Sequence, residues 1–265
     1  MKRLDGKVAL ISGTARGQGR AAALRFAAEG ALVVGGDLLH EEAVETQRLI
    51  AREGGTALTP GPLDVTDEQS VRAWVDEAVE AFGGIDIVYA GTGAERFGAI
   101  DSRPYEDFAF TMRAELDSVW LTVRAAWPHL LRSRGCVLTV GSTAGLTGSL
   151  TNHRTAHSAS KGAVITLTRQ LAAEGAPHGV RVNCVSPGMI DTEGSRGILL
   201  ADDHPMNDIC GHIPLGRLGN PDDVVNAAVF LASAEAAYFT GANLVVDGGR
   251  STVLPGALNR KAVRT

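Results

Sequence analysis

The chain has 265 residues, 45% of them hydrophobic, with few aromatics and 32 glycines, a composition suited to one α/β domain with a sizeable core and many tight turns. Its formal net charge of −5 provides no broad cationic field, which argues against nucleic acid or an anionic membrane as the main partner and for a small molecule. Cys136, Cys184 and Cys210 are scattered without metal-ligand spacing and read as reduced thiols, and no apolar run resembles a signal segment or spans a bilayer, so a cytoplasmic location is expected.

Val8 to Ser12 is a short apolar run that leads into glycines, Gly17 to Glu29 carries an Ala-rich helical pattern stopped by Gly30, and Leu32 to Gly36 is apolar again. The chain therefore opens as strand, helix, strand. The rhythm continues with a helix over 40–53, strand 56–63, helix 67–82, strand 85–89, a long helix over 104–132, strand 136–141, helix 155–175, strand 180–186, helix 221–233 and strand 243–246. Short β-branched strands alternating with helices predict parallel strands joined by right-handed crossovers. The expected fold is α/β: a Rossmann-type doubly wound parallel sheet, three layers α/β/α, in a single domain over residues 1–253. Two stretches leave the rhythm: 189–218, rich in Gly, Asp and His and long enough to be a substrate lid, and the tail 254–265, a loose end or an arm packed on another subunit.

Ser12-Gly13-Thr14-Ala15-Arg16-Gly17-Gln18-Gly19 lies between the first strand and the first helix. Glycines there allow a tight turn and let the backbone approach a pyrophosphate at the helix N-terminus, making Gly13, Thr14, Arg16, Gly17, Gln18 and Gly19 the candidate contacts. About 20 residues on, Asp37, followed by Leu38, ends the second strand, where a carboxylate accepts hydrogen bonds from an adenosine ribose and repels a 2′-phosphate. NAD(H) is thus favoured over NADP(H), although Arg16 pulls the other way. Asp64-Val65 follows the third strand, where an adenine would end; a helix N-cap before Asp67-Glu68 explains the acid equally well.

These motifs, together with Gly141-Ser142-Thr143-Ala144-Gly145, Ser160-Lys161-Gly162, Arg181-Val182-Asn183, Ser186-Pro187-Gly188 and Asp247-Gly248-Gly249, resemble the short-chain dehydrogenase/reductase family over nearly the whole chain. The resemblance implies cofactor contacts also at Ala90, Gly91, Lys161, Pro187, Gly188, Ile190 and Thr192. It further implies a catalytic Asn-Ser-Tyr-Lys tetrad, and here the chain departs. His157 stands at the Tyr position, four residues before Lys161, and Glu115 stands at the Asn position; Ser142 and Lys161 are kept. Ala90-Gly91-Thr92-Gly93 occupies the place of an Asn-Asn-Ala-Gly turn. In the family's terms Ser142 polarises a substrate oxygen and Lys161 binds the nicotinamide ribose.

An imidazole titrates near neutrality and can act as acid or base without the large shift a phenol needs, but it reaches less far. Lys161 on the same helix face disfavours imidazolium, whereas Glu115 nearby would favour it. A neutral imidazole is the better base, which favours alcohol oxidation over ketone reduction. The expected activity is an NAD(H)-dependent interconversion of a secondary alcohol and a ketone, with Ser142, His157, Lys161 and Glu115 as the catalytic group. Two alternatives stay open: a non-redox lyase, isomerase or cyclase that keeps bound NAD and uses His157 and Glu115 as acid and base, and a noncatalytic NAD-bound subunit.

His153 and His157 have i, i+4 spacing, yet no third ligand is evident and no metal site is expected. His129, at a helix end, fits the helix dipole as a cation. His204 and His212 fall in the lid, while Tyr89 and Tyr105 lack helix register with Lys161 and read as packing residues. The resemblance implies a homotetramer or homodimer packed through helices 104–132 and 155–175, with which Ala163, Leu167 and Leu171 are compatible.

Overall fold

The computed structural model describes residues 2–195 and 209–253. Seven parallel strands form one sheet in the order β3-β2-β1-β4-β5-β6-β7: β1 (Val8–Ser12), β2 (Leu32–Gly36), β3 (Thr56–Leu58), β4 (Ile87–Ala90), β5 (Cys136–Val140), β6 (Arg181–Pro187) and β7 (Asn243–Val246). The helices are α1 (Gly17–Ala28), α2 (His40–Arg52), α3 (Glu68–Phe82), α4 (Tyr105–Met112), α5 (Ser118–Ser133), α6 (Thr155–Gly175) and α7 (Pro221–Ala232). Strand order reverses between β1 and β4, so the carboxyl ends of those strands open a crevice, the general ligand position of such sheets.

Alternation along the strands explains the three layers. Ala9 and Ile11 of β1 pack with α1 and α7 on one face, while Val8 and Leu10 pack with Val75 of α3, Val123 of α5 and Val164 of α6 on the other. Because both faces are covered, β1 and β5 are buried at every residue and read as unbroken apolar runs.

Two expected elements differ. The third strand ends at Leu58 rather than at residue 63, because Pro60 and Pro62 have no N–H to give to a parallel ladder. The chain returns to the sheet end only where Leu63 donates its amide to the Asp37 carbonyl (3.0 Å). The single helix over 104–132 is interrupted by a π-helical segment, Arg113–Asp117, between α4 and α5; such an i→i+5 turn accommodates one extra residue and frequently marks a functional site. Of the expected lid, residues 196–208 lie outside the described residues, as does the tail 254–265.

After β5, Thr143–Gly145 form a short 3₁₀ turn that lies on α6. A Cβ on Gly145 would stand 2.6 Å from the Gly162 amide nitrogen and 2.7 Å from the Lys161 carbonyl carbon. Both neighbours are helix backbone and cannot step aside, so glycine sets how closely Ser142 approaches the helix that carries His157 and Lys161. We expect Gly145→Ala to lower unfolding stability by about 1–3 kcal/mol through overpacking, measured by urea denaturation; an unchanged midpoint would show that the turn yields without cost.

Candidate active site

The glycine loop leaves β1 with Gly13 at φ 84° and Gly17 at φ 57°, conformations in the left-handed region. Arg16 is the extended residue at the start of α1 and makes no side-chain cap, so the first amides of α1 are left for a ligand. Asp37, just past β2, faces this loop: its carboxylate accepts from the Ala15 amide (3.1 Å) and the Leu39 amide (3.0 Å), and Leu38 beside it is 65% exposed. At the end of β4, the Gly91 amide donates to the Ser12 hydroxyl (3.2 Å). Thr192 packs on the other side, its methyl 3.7 Å from where a Gly17 side chain would begin. Pro187 ends β6, and the Gly188 amide donates to the Val246 carbonyl (2.9 Å).

Three polar atoms in this region, Thr14 Oγ1, Gln18 Oε1 and Thr92 Oγ1, are sealed from solvent without a hydrogen-bond partner. Orphaned polar atoms beside donor-rich backbone fit a nucleotide cradle. Val65 and Ile190 instead bury their side chains in the two cores, so they would meet a ligand only through backbone. Asp64 Oδ1 accepts from the Thr66 amide (2.8 Å) and hydroxyl (2.7 Å). The N-cap of α3 is Asp67, which accepts from Gln69 and Ser70.

The other half of the site centres on Glu115, in the π segment and 1% exposed. His157 Nδ1 lies 2.8 and 3.0 Å from its two oxygens, and the Ser160 hydroxyl donates to Oε2. Lys161 Nζ donates to the Val140 carbonyl (3.0 Å) and stands 3.8 Å from Glu115 Oε1. Gly93 admits this arrangement, since a side chain there would begin 3.4 Å from Glu115 Oε1 and 3.7 Å from Lys161 Nζ. Burial by itself raises the Glu115 pKa, but the hydrogen bond from His157, the Lys161 and His157 charges and the Ser160 hydrogen bond together hold it below the ordinary carboxylate value. An ionised carboxylate cannot donate, so Nδ1 carries the proton in this pair and the opposite ring nitrogen, Nε2, is left as the working atom. Ser142 accepts the Ala144 amide (3.0 Å), which leaves its own O–H to donate outward.

Four of the expected residues, Glu115, His157, Lys161 and, across the Gly145 turn, Ser142, thus come to one region at the carboxyl edge of the sheet. Ser160, Gly93 and Phe97 were not expected there; Phe97 stands edge-on to the His157 ring at 5.8 Å. Ser160 and Gly93 lie in motifs visible in the sequence, whereas Phe97 carries no such signal. His153 precedes the first residue of α6, Thr155, so it does not face His157 across a helical turn; its carbonyl accepts the Gly98 amide (2.8 Å). Glu95, Glu115 and His157 do offer ligand-type atoms within 4.8 Å of one another, but the Glu115 oxygens are already engaged and the Lys161 ammonium opposes a dication. Tyr89 is fully buried and packs in the core, whereas Tyr105 is 74% exposed and meets the Phe108 ring at 6.0 Å. His129 differs from expectation: burial and the Arg132 charge lower its pKa, disfavouring the cation.

A glycine cradle at the switch point of a doubly wound sheet defines a Rossmann-type nucleotide-binding protein. Residues 13–251 match the family model described as enoyl-(acyl carrier protein) reductase. The 3-alpha-(or 20-beta)-hydroxysteroid dehydrogenase of Mycobacterium tuberculosis is 38% identical over 93% of this chain and 90% of its own. The trans-4-hydroxycyclohexanecarboxylate dehydrogenase of Sinomonas cyclohexanicum is 35% identical over 94% of each. A 7α-hydroxysteroid dehydrogenase complexed with NADH and 7-oxo glycochenodeoxycholic acid superposes with a TM-score of 0.88 at 31% identity, covering 93% of this chain and 95% of that one. The chain belongs to the short-chain dehydrogenase/reductase family and is an oxidoreductase of that family. No helix among the described residues is long and apolar enough to cross a membrane.

Because the Glu115 carboxyl is held below its ordinary value of 4.5, the stability it confers is complete above that pH and is lost as pH falls through the lower folded-state value. We expect Glu115→Gln to be less stable than wild type by about 1–3 kcal/mol at neutral pH. Thermal unfolding should show this gap closing as the solution is acidified below about pH 4.5; a gap that persists or widens there would contradict the assignment.

Proposed function

We propose that this chain is an NAD(H)-dependent oxidoreductase that interconverts a secondary alcohol and a ketone on a small organic substrate, with His157 moving the proton. The observation that carries this reading is the hydrogen bond between His157 Nδ1 and the buried Glu115 carboxylate (2.8 Å). It fixes the tautomer, aims Nε2 away from the carboxylate and stabilises the imidazolium that forms when Nε2 takes a proton, the logic of an acid-oriented histidine base. His157 stands where the family resemblance places a phenol, so an imidazole takes the position of the proton-transferring group.

The cradle residues Gly13, Thr14, Arg16, Gly17, Gln18, Gly19, Ala90, Gly91, Gly188 and Thr192 would hold the nicotinamide cofactor, which supplies hydride acceptance or donation. Asp37 supports NAD(H), since its carboxylate stands where a 2′-phosphate would bring a second negative charge. Ser142 donates its O–H to the substrate oxygen, His157 Nε2 accepts the carbinol proton, and Lys161 presents its ammonium toward the ribose. A base poised in this way supports oxidation of the alcohol as the favoured direction. The segment 189–218 serves as the lid in this reading.

The outward faces of α5 and α6 support a homodimer or homotetramer. Trp120 is 47% exposed and, with Trp127, Pro128 and Leu171, lines an apolar cleft of about 230 Å³; Ala163 and Leu167 are half-buried beside it on α6.

Absorbance at the nicotinamide band, followed over a panel of secondary alcohols and ketones, tests the reaction. His157→Ala should lower kcat by about 10²–10⁴, with NADH affinity preserved. Product formation without absorbance change, lost in His157→Ala, would establish the non-redox reading. NADH binding without turnover, with activity appearing in His157→Tyr, would establish a noncatalytic scaffold. Fluorescence titration with NADH and NADPH tests the cofactor: wild type should prefer NADH, and Asp37→Ala should narrow that preference by about tenfold or more. An equal preference in the variant and wild type would remove Asp37 from the selectivity.

A further inference from the structure

The start of α6 carries a cation that the chemistry above does not use. Arg154, immediately before Thr155, is 7% exposed, and no described residue offers it a carboxylate partner. Its guanidinium is held only through Nη2, which donates to the Thr147 carbonyl (3.1 Å) and hydroxyl (3.2 Å). Nε is sealed from solvent without a hydrogen-bond partner among the described residues. A buried guanidinium without a counter-charge is costly, and natural proteins rarely leave one unpaired.

A second arginine acts on it through its charge. Arg250 follows the Gly249 turn, is half-buried and has no side-chain hydrogen bond among the described residues. The neighbouring Asp247 carboxylate is engaged by the Gly249 (2.9 Å) and Ser251 (2.6 Å) amides. Burial lowers both guanidinium pKa values; the Arg250 charge lowers that of Arg154 further, while Asp247 partly offsets the shift on Arg250. A buried guanidinium without a counter-charge, under the influence of a second positive charge, is what an oxyanion would relieve.

Their place in the fold ties them to the reacting end of the site. The Arg154 carbonyl accepts the Ser158 amide (2.8 Å), so Arg154 stands one helical turn before the His157–Ser158 step. Its backbone pairs with Gly98, next to the Phe97 whose ring meets His157.

We propose that Arg154 and Arg250 form an oxyanion-binding subsite that takes the carboxylate or phosphate of the substrate, so that the substrate is an anionic hydroxy compound or its oxo counterpart. The word substrate rests on the redox reading above; the anion site does not. One turn of helix, about 5 Å, separates the arginine level from the His157 level, which places the anion several bonds from the carbinol carbon rather than adjacent to it. Planar guanidinium forks suit carboxylate and phosphate better than a halide.

The test uses full-length protein saturated with NADH, which keeps added phosphate off the nucleotide cradle. Calorimetric titration with sodium acetate and with inorganic phosphate, at ionic strength held by sodium chloride, should show saturable binding in wild type. Arg154→Met should weaken it about tenfold or more and Arg250→Met several-fold, with NADH affinity unchanged within about twofold. Without oxyanion, the Tm of Arg154→Met should not fall below wild type, because the substitution removes an uncompensated charge. Absence of saturable binding in wild type, or equal binding in both variants, overturns the subsite. A Tm that drops in Arg154→Met, with no oxyanion bound by wild type, assigns Arg154 to an internal counter-charge and overturns it equally. In turnover, Arg154→Met should raise KM for a hydroxy acid about tenfold and leave KM for its methyl ester unchanged; equal effects on acid and ester overturn the proposal. Oxyanion binding intact in a protein without redox turnover supports the subsite and sinks the redox reading instead.

Discussion

The buried carboxylate of Glu115 is the constraint on which the site depends. At 1% exposure it has exchanged water for the His157 imidazole, the Ser160 hydroxyl and the nearby Lys161 ammonium, and each must arrive from α6 at the correct height. That height is set by contacts with no chemistry of their own: Gly145 against the Lys161–Gly162 backbone, Gly93 against the carboxylate itself, and the Val140 carbonyl that holds Lys161 Nζ. Removing the carboxylate would leave a cation and an imidazole facing each other in a poorly solvated space, so fold stability and the proposed proton relay would share one group.

Much of this architecture was legible because it is periodic or local. Unbroken apolar runs such as Cys136–Val140 announce strands covered on both faces, and the glycine cluster between β1 and α1 announces the cradle through backbone requirements alone. The i, i+4 spacing of His157 and Lys161 places them on one helix face from the sequence alone. What escaped was set by partners distant in sequence. The 42-residue separation of Glu115 and His157 carries no periodic signal, so their direct hydrogen bond could be stated only as a condition. The early end of β3 is hidden because Leu63 is apolar, whereas Pro60 and Pro62 stop the ladder at Leu58. The unpaired state of Arg154 depends on what surrounds it in space.

The two halves of the site are joined through the strand ends. Ser12 at the end of β1 receives the Gly91 amide from the end of β4, and the chain then passes Thr92 and reaches Gly93 against Glu115 and Lys161. A displacement in the glycine cradle is therefore felt at the carboxylate within a few residues of backbone, without need of a long relay. The turn Ala90-Gly91-Thr92-Gly93 and Glu115, distant in sequence, are thus neighbours in space.

The π segment Arg113–Asp117 has a consequence for how this chain tolerates change in length. A π turn holds one residue more than the α-helical turn it replaces, so deleting a single residue there would heal the helix rather than break it. Buried contacts of α5 such as Val119 and Val123 could survive such a deletion, while the site residue itself would be carried around the axis by about 100°, the angle per residue of an α-helix. The protein would keep its shape and lose its carboxylate. In this stretch the number of residues, rather than their hydrophobic pattern, sets which way the Glu115 side chain faces.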